Sequence, residues 1–422
     1  MSNGFRRMPK TIVQKFGGSS LATPELREIA ASRVLELRAR GAAPVVVCSA
    51  LGRSPEPYAT DSLAGLLGPA RSGPNRDLLL ACGEAIACAV FAELLTSLGA
   101  DAQAMTGAQA GIITDENYGD AKILRIEPVN VIAVLERGMI PVVSGFQGVS
   151  ESGAVTTIGR GGSDLSAIAL GAALGSEAVE IFTDVSGVMT GDPRRIAGAH
   201  TVERVSYAEM VELAADGAKV MQAHAAELAH KTETPYAVKG LRSNVGTTID
   251  EGGTPDRLRP VSGITSFKDV TFFRAIQGDI HDLEARRQLD AELFRRLAER
   301  DVSVDMINVN NAGIFFICDS EKIDVVRAEL QNLNLALRVR AHCAKISIVG
   351  AGMRGTPGVM YRVVSALTDA GIEIIHSTDS NITISVLVTE EEVARAEQAL
   401  HDAFRLGRSQ TPATEVTSEK MR

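Results

Sequence analysis

The amino-acid sequence predicts an α/β fold, a mainly parallel sheet with helices on both faces, followed by two α+β modules. Three observations carry that expectation. Short, continuous β-branched runs alternate with stretches of helical periodicity as far as Val238. The chain then turns dense in Gly, Pro, Thr and Asp from Gly240 to Gly263 (GLRSNVGTTIDEGGTPDRLRPVSG), the texture of a boundary between domains. Beyond it, one segment recurs at an offset of 70 residues.

Taken in order, residues 11–16 (TIVQKF) and 44–49 (PVVVCS) read as buried strands bounded by Gly or Pro signals. Between them, Pro24–Arg40 puts Leu26, Ile29, Ala30, Val34 and Leu37 on one helical face, which makes a β-α-β unit. Ile140–Ser144 and Val179–Thr183 read as further strands, and Leu78–Leu98, Ser163–Leu174 and Tyr207–His230 as helices. Strands that are apolar throughout need covering on both faces, as in parallel sheets. Gly68–Arg76 (GPARSGPNR) is a loop within this first domain. The expected boundaries are a first domain over 10–249 and a linker over 250–263.

The repeat aligns Leu297–Cys318 (LAERDVSVDMINVNNAGIFFIC) with Leu367–Val388 (LTDAGIEIIHSTDSNITISVLV), and Asn311 falls on Asn381. Each copy reads as helix, strand, turn, strand and then a second helix, Ile323–Gln331 in one and Glu391–Phe404 in the other. That is one α+β module used twice, expected over 264–340 and 341–406. The polar tail, 407–422, is expected to be disordered.

Composition narrows the function. The 422 residues suggest two or three domains, with 45% apolar and 23% charged residues, ordinary for a globular chain. A net charge of −9, no tryptophan and 4% aromatics argue against a nucleic-acid partner, which calls for a basic face or stacking platforms. No apolar run is read as approaching the roughly 20 residues of a membrane span; the best stretch, Ala85–Leu95, carries Glu93. The basic N-terminus leads directly into a strand pattern, without a signal-peptide core. Five scattered cysteines (Cys48, Cys82, Cys88, Cys318, Cys343) with no CxxC pair fit a reducing compartment, so a cytoplasmic location is expected.

The loops carry the chemistry. No GxxxxGK followed by Ser or Thr occurs, so a P-loop is unsupported. KFGGSS (Lys15–Ser20) ends a strand with a cation, two glycines and two hydroxyls, suited to phosphate; a tight strand-to-helix turn explains the glycines equally well. GRGGSD (Gly159–Asp164) puts Arg160, Ser163 and Asp164 in one turn, where the guanidinium suits a carboxylate or phosphate. The alternative is a capped helix with a surface ion pair. FTDVSGVMTGDPR (Phe182–Arg194) leaves a strand at the end where ligands of open α/β sheets sit. GAKVM (Gly217–Met221) offers Lys219. Glu84, in an otherwise apolar helix, is either a partly buried functional carboxylate or a helix-edge residue, and Thr60 and Asp61 read equally as a helix cap. Val349–Gly355 (VGAGMRG) matches GxGxxG, but Pro357 and Gly358 prolong the loop and too little chain follows for a dinucleotide fold.

Together KFGGSS, the SALG of Ser49–Gly52, TDSL, LLLACGE, TGAQAG, SGFQG, TTIGRGGSD, FTDVSGVMTGDPR and GAKV resemble aspartate kinase, collinearly through the first 249 residues. PYATDSL and TGAQAG are most similar to the diaminopimelate-sensitive type of spore-forming bacteria. GTPGV (Gly355–Val359) and SNITISVLV resemble the paired ACT regulatory modules of that family.

The resemblance implies the amino-acid-kinase fold and transfer of the ATP γ-phosphoryl group to the β-carboxylate of L-aspartate. The product is the acyl phosphate that opens lysine, threonine, methionine and diaminopimelate synthesis. By the same resemblance Lys15 and Asp164 are catalytic. Ser49, Thr60, Glu84, Arg160, Gly161, Gly162 and Ser163 would bind aspartate, with Glu84 reading its ammonium group and Arg160 a carboxylate. Lys15, Phe16, Gly17, Gly18, Thr183, Asp184, Met189, Thr190, Gly191, Asp192, Pro193, Arg194, Lys219 and Val220 would line ATP. Mg2+ is implied on the phosphates, with no protein ligand named. Partners implied are L-aspartate, ATP and a feedback amino acid (lysine, threonine or diaminopimelate), with homo-oligomerisation through the ACT modules and no membrane or nucleic-acid partner. The feedback site is expected at Pro357, Gly358, Val359, Ser377 and Asn381, so substituting Ser377 and Asn381 should relieve inhibition. The repeat offset puts Arg287 where the second copy has Pro357, so the first copy lacks this turn.

The sequence departs from the family pattern in three ways. Ser19 replaces a threonine in the first motif, the usual His-Pro-Arg after GAKVL becomes Gln222-Ala223-His224, and the downstream VRS reads VKG at Val238–Gly240. Two other functions stay open: a kinase for glutamate or its N-acetyl form, and a non-catalytic amino-acid sensor, whose support is the Gln222–His224 change. No fused homoserine dehydrogenase is expected.

Overall fold

The computed structural model describes residues 10–68, 71–218, 220–252, 260–277, 283–333 and 335–407. The chain divides into two compact units, Met1–Val188 with Thr201–Thr254, and Met189–His200 with Pro255–Arg422.

In chain order the strands of the first unit are β1 (Thr11–Phe16), β2 (Ala43–Cys48), β3 (Ala102–Met105), β4 (Ile112–Thr114), β5 (Ile123–Ile126) and β6 (Ile140–Ser144). They continue with β7 (Gln147–Ser150), β8 (Val155–Thr157), β9 (Ala178–Thr183), β10 (Arg204–Ser206), β11 (Tyr236–Gly240) and β12 (Gly246–Asp250). Its helices are α1 (Pro24–Ala39), α2 (Thr60–Gly65), α3 (Pro74–Ser97), α4 (Val129–Glu136), α5 (Gly162–Leu174), α6 (Tyr207–Ala215) and α7 (Ala223–Thr232). The main sheet runs β10-β12-β11-β9-β1-β2-β6-β3, and only the β11–β12 pair is antiparallel. A smaller sheet, β5-β4-β7-β8, stands beside it.

Register is what builds the site. Phe16 lies opposite Cys48 on β2 and Phe182 on β9, so three strands end side by side. Alternation along β1 sends Phe16 to one face, stacked on Phe182 with ring centroids 5.0 Å apart and near Phe91 of α3, and Lys15 to the other, where α5 begins. Helices therefore cover both faces. α1 starts where the hydroxyl of Thr23 accepts from Leu26 N–H with Pro24 as first helical residue, and it buries Ala30, Val34 and Leu37.

Three expectations need correction here. The helix read over Tyr207–His230 is two helices, because the chain turns at Gly217 with φ +107°. The stretch read as boundary from Gly240 already contains β12, which pairs with β10 and β11; of the linker proper, 253–259 lie outside the described residues. α3 is long and apolar enough to meet the length and composition of a membrane span, contrary to the sequence reading. It serves as a core helix, packed on β3, β6 and β8 and burying Leu80, Phe91, Leu95 and two carboxylates, Asp77 and Glu84.

The second unit contains β13 (Gly263–Gln277), α8 (Leu283–Glu299), β14 (Asp305–Asn310), β15 (Gly313–Asp319), α9 (Ile323–Leu330), β16 (Leu335–Val349), α10 (Val359–Asp369), β17 (His376–Asp379), β18 (Thr383–Thr389) and α11 (Val393–Ala403). The repeat thus appears as helix, hairpin and helix twice over. Arg287 sits inside α8, whereas the corresponding stretch of the second copy is still a loop, with Gly358 at φ +85° before α10. The six-stranded sheet runs β14-β15-β13-β16-β18-β17. β13 and β16 are shared: Phe272–Gln277 pair with 335–340 in the first module, and Gly263–Phe267 with 345–349 in the second. The reading that gave 264 onward to the first module therefore misplaces the start of β13. The sheet curls until its two ends meet, where the ring of His376 lies 3.0 Å from the carbonyl of Met306. Of the tail, 408–422 lie outside the described residues.

Met189–His200 was expected inside the catalytic domain and clusters instead with the second unit. Its ties explain why. Thr190 Oγ1 lies 3.0 Å from His401 Nε2, Ile264 N–H donates to Thr190 O at 3.0 Å, and Arg195 pairs with the fully buried Glu397 at 2.8 Å.

Candidate active site

The centre of the site is an ion pair. Lys15 Nζ lies 2.6 Å from Asp164 Oδ1, with the side chains 10% and 12% exposed. The cation comes from the carboxyl end of β1 and the carboxylate from the first turn of α5, so the sheet and a helix start meet at one point. The glycines after Lys15 differ in what requires them. A Cβ on Gly18 would come within 2.5 Å of Ala50 O and 2.7 Å of Gly52 O, so packing alone demands glycine there. A Cβ on Gly17 would stand 3.5 Å from Lys15 Nζ, ordinary contact, and its N–H donates to Phe182 O at 3.3 Å. Phe16 is wholly in the core and offers a ligand only its backbone.

Across β2 lies a second carboxyl. Glu84 Oε1 accepts from Ala50 N–H at 3.1 Å, and Oε2 has no partner among the described residues. Gly83 lets α3 approach this closely, since a Cβ there would meet Ala50 Cβ and Tyr58 O at 3.0 Å. Burial pushes the Glu84 carboxyl up to about 8, against the pull of its backbone hydrogen bonds. Glu84 is buried within α3 and is not a helix-edge residue. Ser49, half-buried at the end of β2, donates its N–H to Phe16 O.

Arg160 stands at the rim, 92% exposed, 3.3 Å from the exposed Asp61. An exposed pair of this kind is worth little and leaves the guanidinium available. Gly161 caps α5 at φ +74° with no side-chain bond, and Ser163 and Asp164 are buried in the next turn. Thr60 is the first residue of α2 rather than its cap, which is Ala59.

The structure brings together Lys15, Gly17, Gly18, Ser49, Glu84 and Asp164 at the carboxyl ends of β1 and β2, with Arg160 and Gly161 just before α5 and Gly162 and Ser163 in its first turn. Thr183 ends β9, next to β1, and Asp184 follows it and pairs with Arg53 at 3.0 Å. Met189, Thr190, Gly191, Asp192, Pro193 and Arg194 lie in the second unit, where Asp192 holds Arg194 at 2.8 Å. Lys219 lies outside the described residues, while Val220 is described and half-buried. In the second module Val359 is buried, Pro357 and Asn381 are exposed, and Ser377 sits on β17 opposite Val386.

Two contacts escaped sequence reasoning. Arg53 follows the SALG motif without marking itself as a partner for Asp184. Gln222 caps α7, its Oε1 accepting from Ala225 N–H at 3.0 Å, and its Cβ and Cγ occupy the space a Cβ on Gly161 would enter at 2.6 Å. The missing His-Pro-Arg was a signal that this position matters, but not of where it packs.

Comparison with known proteins adds the family. Residues 10–240 match the model of the amino acid kinase family, and residues 346–404 match an ACT domain. Aspartokinase 1 of Bacillus subtilis is 41% identical over 408 residues, covering 94% of this chain and all of the relative. The aspartokinase of Geobacillus stearothermophilus is 39% identical, covering 94% and 97%. Among solved structures, aspartate kinase from Synechocystis is 31% identical with a TM-score of 0.52, covering 96% of this chain and 71% of that one. Escherichia coli aspartokinase III in complex with aspartate and ADP shares the fold, with a TM-score of 0.77 at 24% identity, covering 93% and 99%.

Proposed function

The chain belongs to the aspartokinases of the amino acid kinase family, and from that premise we infer that its Lys15–Asp164 centre is where phosphoryl transfer takes place. It is an aspartate kinase, moving the γ-phosphoryl group of ATP to the β-carboxylate of L-aspartate.

The chemistry asks for positioning and charge neutralisation more than covalent help. The nucleophile is a carboxylate, ionised at neutral pH, so no general base is required. The obstacle is repulsion between that carboxylate and the phosphate oxygens. Lys15 supplies the cation that offsets it, and Asp164 holds Nζ at a fixed point in a site largely shielded from water, where a charge acts more strongly than in solution. Gly17 offers a backbone approach on the same side. Glu84 takes the ammonium group of aspartate beside Ser49 and Thr60, and Arg160 takes a carboxylate through its planar fork. Thr183, Asp184 and Met189–Arg194, with Lys219 and Val220, are the proposed nucleotide contacts.

Magnesium is proposed on the β- and γ-phosphates, adding to the neutralisation of their charge. No protein ligand is proposed for it; the phosphates and water would supply its oxygens. The proposed feedback ligand, lysine, threonine or diaminopimelate, is placed at Pro357–Val359, Ser377 and Asn381, and the ACT modules are the proposed oligomer surface. A reducing, cytoplasmic setting is supported by five unpaired cysteines, four of them buried.

The carrying observation is the 2.6 Å pair at the end of β1. Hydroxylamine trapping of the acyl phosphate, with aspartate, glutamate and N-acetylglutamate offered separately, tests it. Hydroxamate is expected from aspartate alone, and Lys15→Ala should lose at least ~100-fold in kcat. A folded Lys15→Ala protein with ordinary turnover would move the centre elsewhere.

A further inference from the structure

Asp77 lies in the first turn of α3, two helical turns before Glu84, so both carboxylates share the buried face of one helix. Its side chain is completely buried. Oδ2 accepts two backbone N–H groups, from Thr157 at 2.7 Å and from Gly119 at 3.0 Å, and Oδ1 has no partner among the described residues. A carboxylate taken out of water is costly, and charge-assisted bonds to backbone amides are what offset the cost.

Those bonds hold two pieces of chain that lead to the same place. Thr157 ends β8, three residues before Arg160. Gly119 precedes Asp120, whose carboxylate lies so close to Gly159 that a Cβ there would come within 2.7 Å of it. Gly159, at φ +81°, is the residue just before Arg160. Ala121 N–H, donating to Thr157 O at 2.9 Å, closes the loop onto the strand. The segment from which the Arg160 guanidinium extends is thus fixed from both sides by one buried oxygen.

We propose that Asp77 is a positioning residue for aspartate binding, setting the backbone under Arg160 as Glu84 sets Ala50. α3 then fixes both sides of the substrate pocket. This rests on the reading of Arg160 as the carboxylate grip. Asp77 does not touch the substrate. Its loss should act on aspartate and leave the nucleotide alone.

The test measures initial rates of hydroxamate formation by the full chain, varying aspartate and ATP in turn, for Asp77→Asn, Asp77→Ala and Arg160→Ala. Asp77→Asn is expected to raise the KM for aspartate about tenfold, the loss of a charge-assisted bond, with kcat and the KM for ATP within about twofold. Asp77→Ala should raise it further; if that protein does not fold, Asp77→Asn decides. An unchanged aspartate KM in Asp77→Asn, or ATP and aspartate constants moving together, overturns the proposal. If Arg160→Ala raises the aspartate KM and Asp77→Asn does not, this inference alone falls. If Arg160→Ala changes nothing, the grip reading falls and takes this one with it.

Discussion

Glu84 shows how much one buried carboxyl decides. With burial pushing it up to about 8, only about one molecule in ten carries the charge at pH 7 in the empty site. In the proposed role of Glu84 the ammonium group of aspartate needs that charge, so binding is expected to release a proton. The KM for aspartate should therefore fall about tenfold per unit as pH rises towards 8 and level off above it, and Glu84→Gln should raise KM and flatten the profile. A wild-type profile flat from pH 6.5 to 8.5 would place the ammonium elsewhere. Stability follows the opposite course. The folded state binds a proton that the unfolded chain has already lost, so this contribution is full below the ordinary carboxyl range and disappears as pH rises through 8. Thermal melts of the empty protein should fall over that range, and less so in Glu84→Gln. The sequence identified Glu84 as a carboxylate out of place in an apolar helix; it could not separate burial from a helix edge, because that depends on how closely α3 approaches Ala50.

At the scale of elements, α6 and α7 mark the limit of periodicity as a guide. Both carry their apolar residues at helical spacing, so the pattern runs on through a break that only the backbone at Gly217 reveals. The start of α7 is obscure for another reason: glutamine is outside the usual capping set, yet Gln222 caps it and leans on Gly161. The loop before α5 and the loop before α7 are thereby packed together. Gly161→Ala should lose activity for two separable reasons, the clash with Gln222 and the left-handed backbone, the latter costing about 1–2 kcal/mol. The double variant Gly161→Ala with Gln222→Gly removes both clashing carbons and should recover part of the lost kcat/KM, while Gln222→Gly alone, which loses the cap, costs about 0.5 kcal/mol in stability. Strict additivity of the two substitutions would show that the loops act independently.

For the molecule as a whole, the repeat was legible because helices and hairpins recur in the same order with Asn311 on Asn381. The sharing of β13 and β16 was not, since an apolar strand pattern specifies a face but not which neighbour pairs along each half. Nor was the placement of Met189–His200, which no local pattern records; it rests on long-range ties, above all Arg195 to the buried Glu397, whose carboxyl burial pushes up and Ser266 and Arg195 pull down. With Met189–Arg194 proposed as nucleotide contacts, these ties are expected to set the KM for ATP. Removing one partner of a buried pair strands the other, so Arg195→Ala should cost about 3 kcal/mol or more and raise the KM for ATP several-fold, with the aspartate KM changed less. Replacing both, Arg195→Met with Glu397→Leu, removes the stranded charge and should return most of the stability, because the desolvation cost disappears with the pair. An Arg195→Ala protein that melts earlier yet, while still folded, binds ATP as before would separate the role of this segment in stability from any role at the nucleotide.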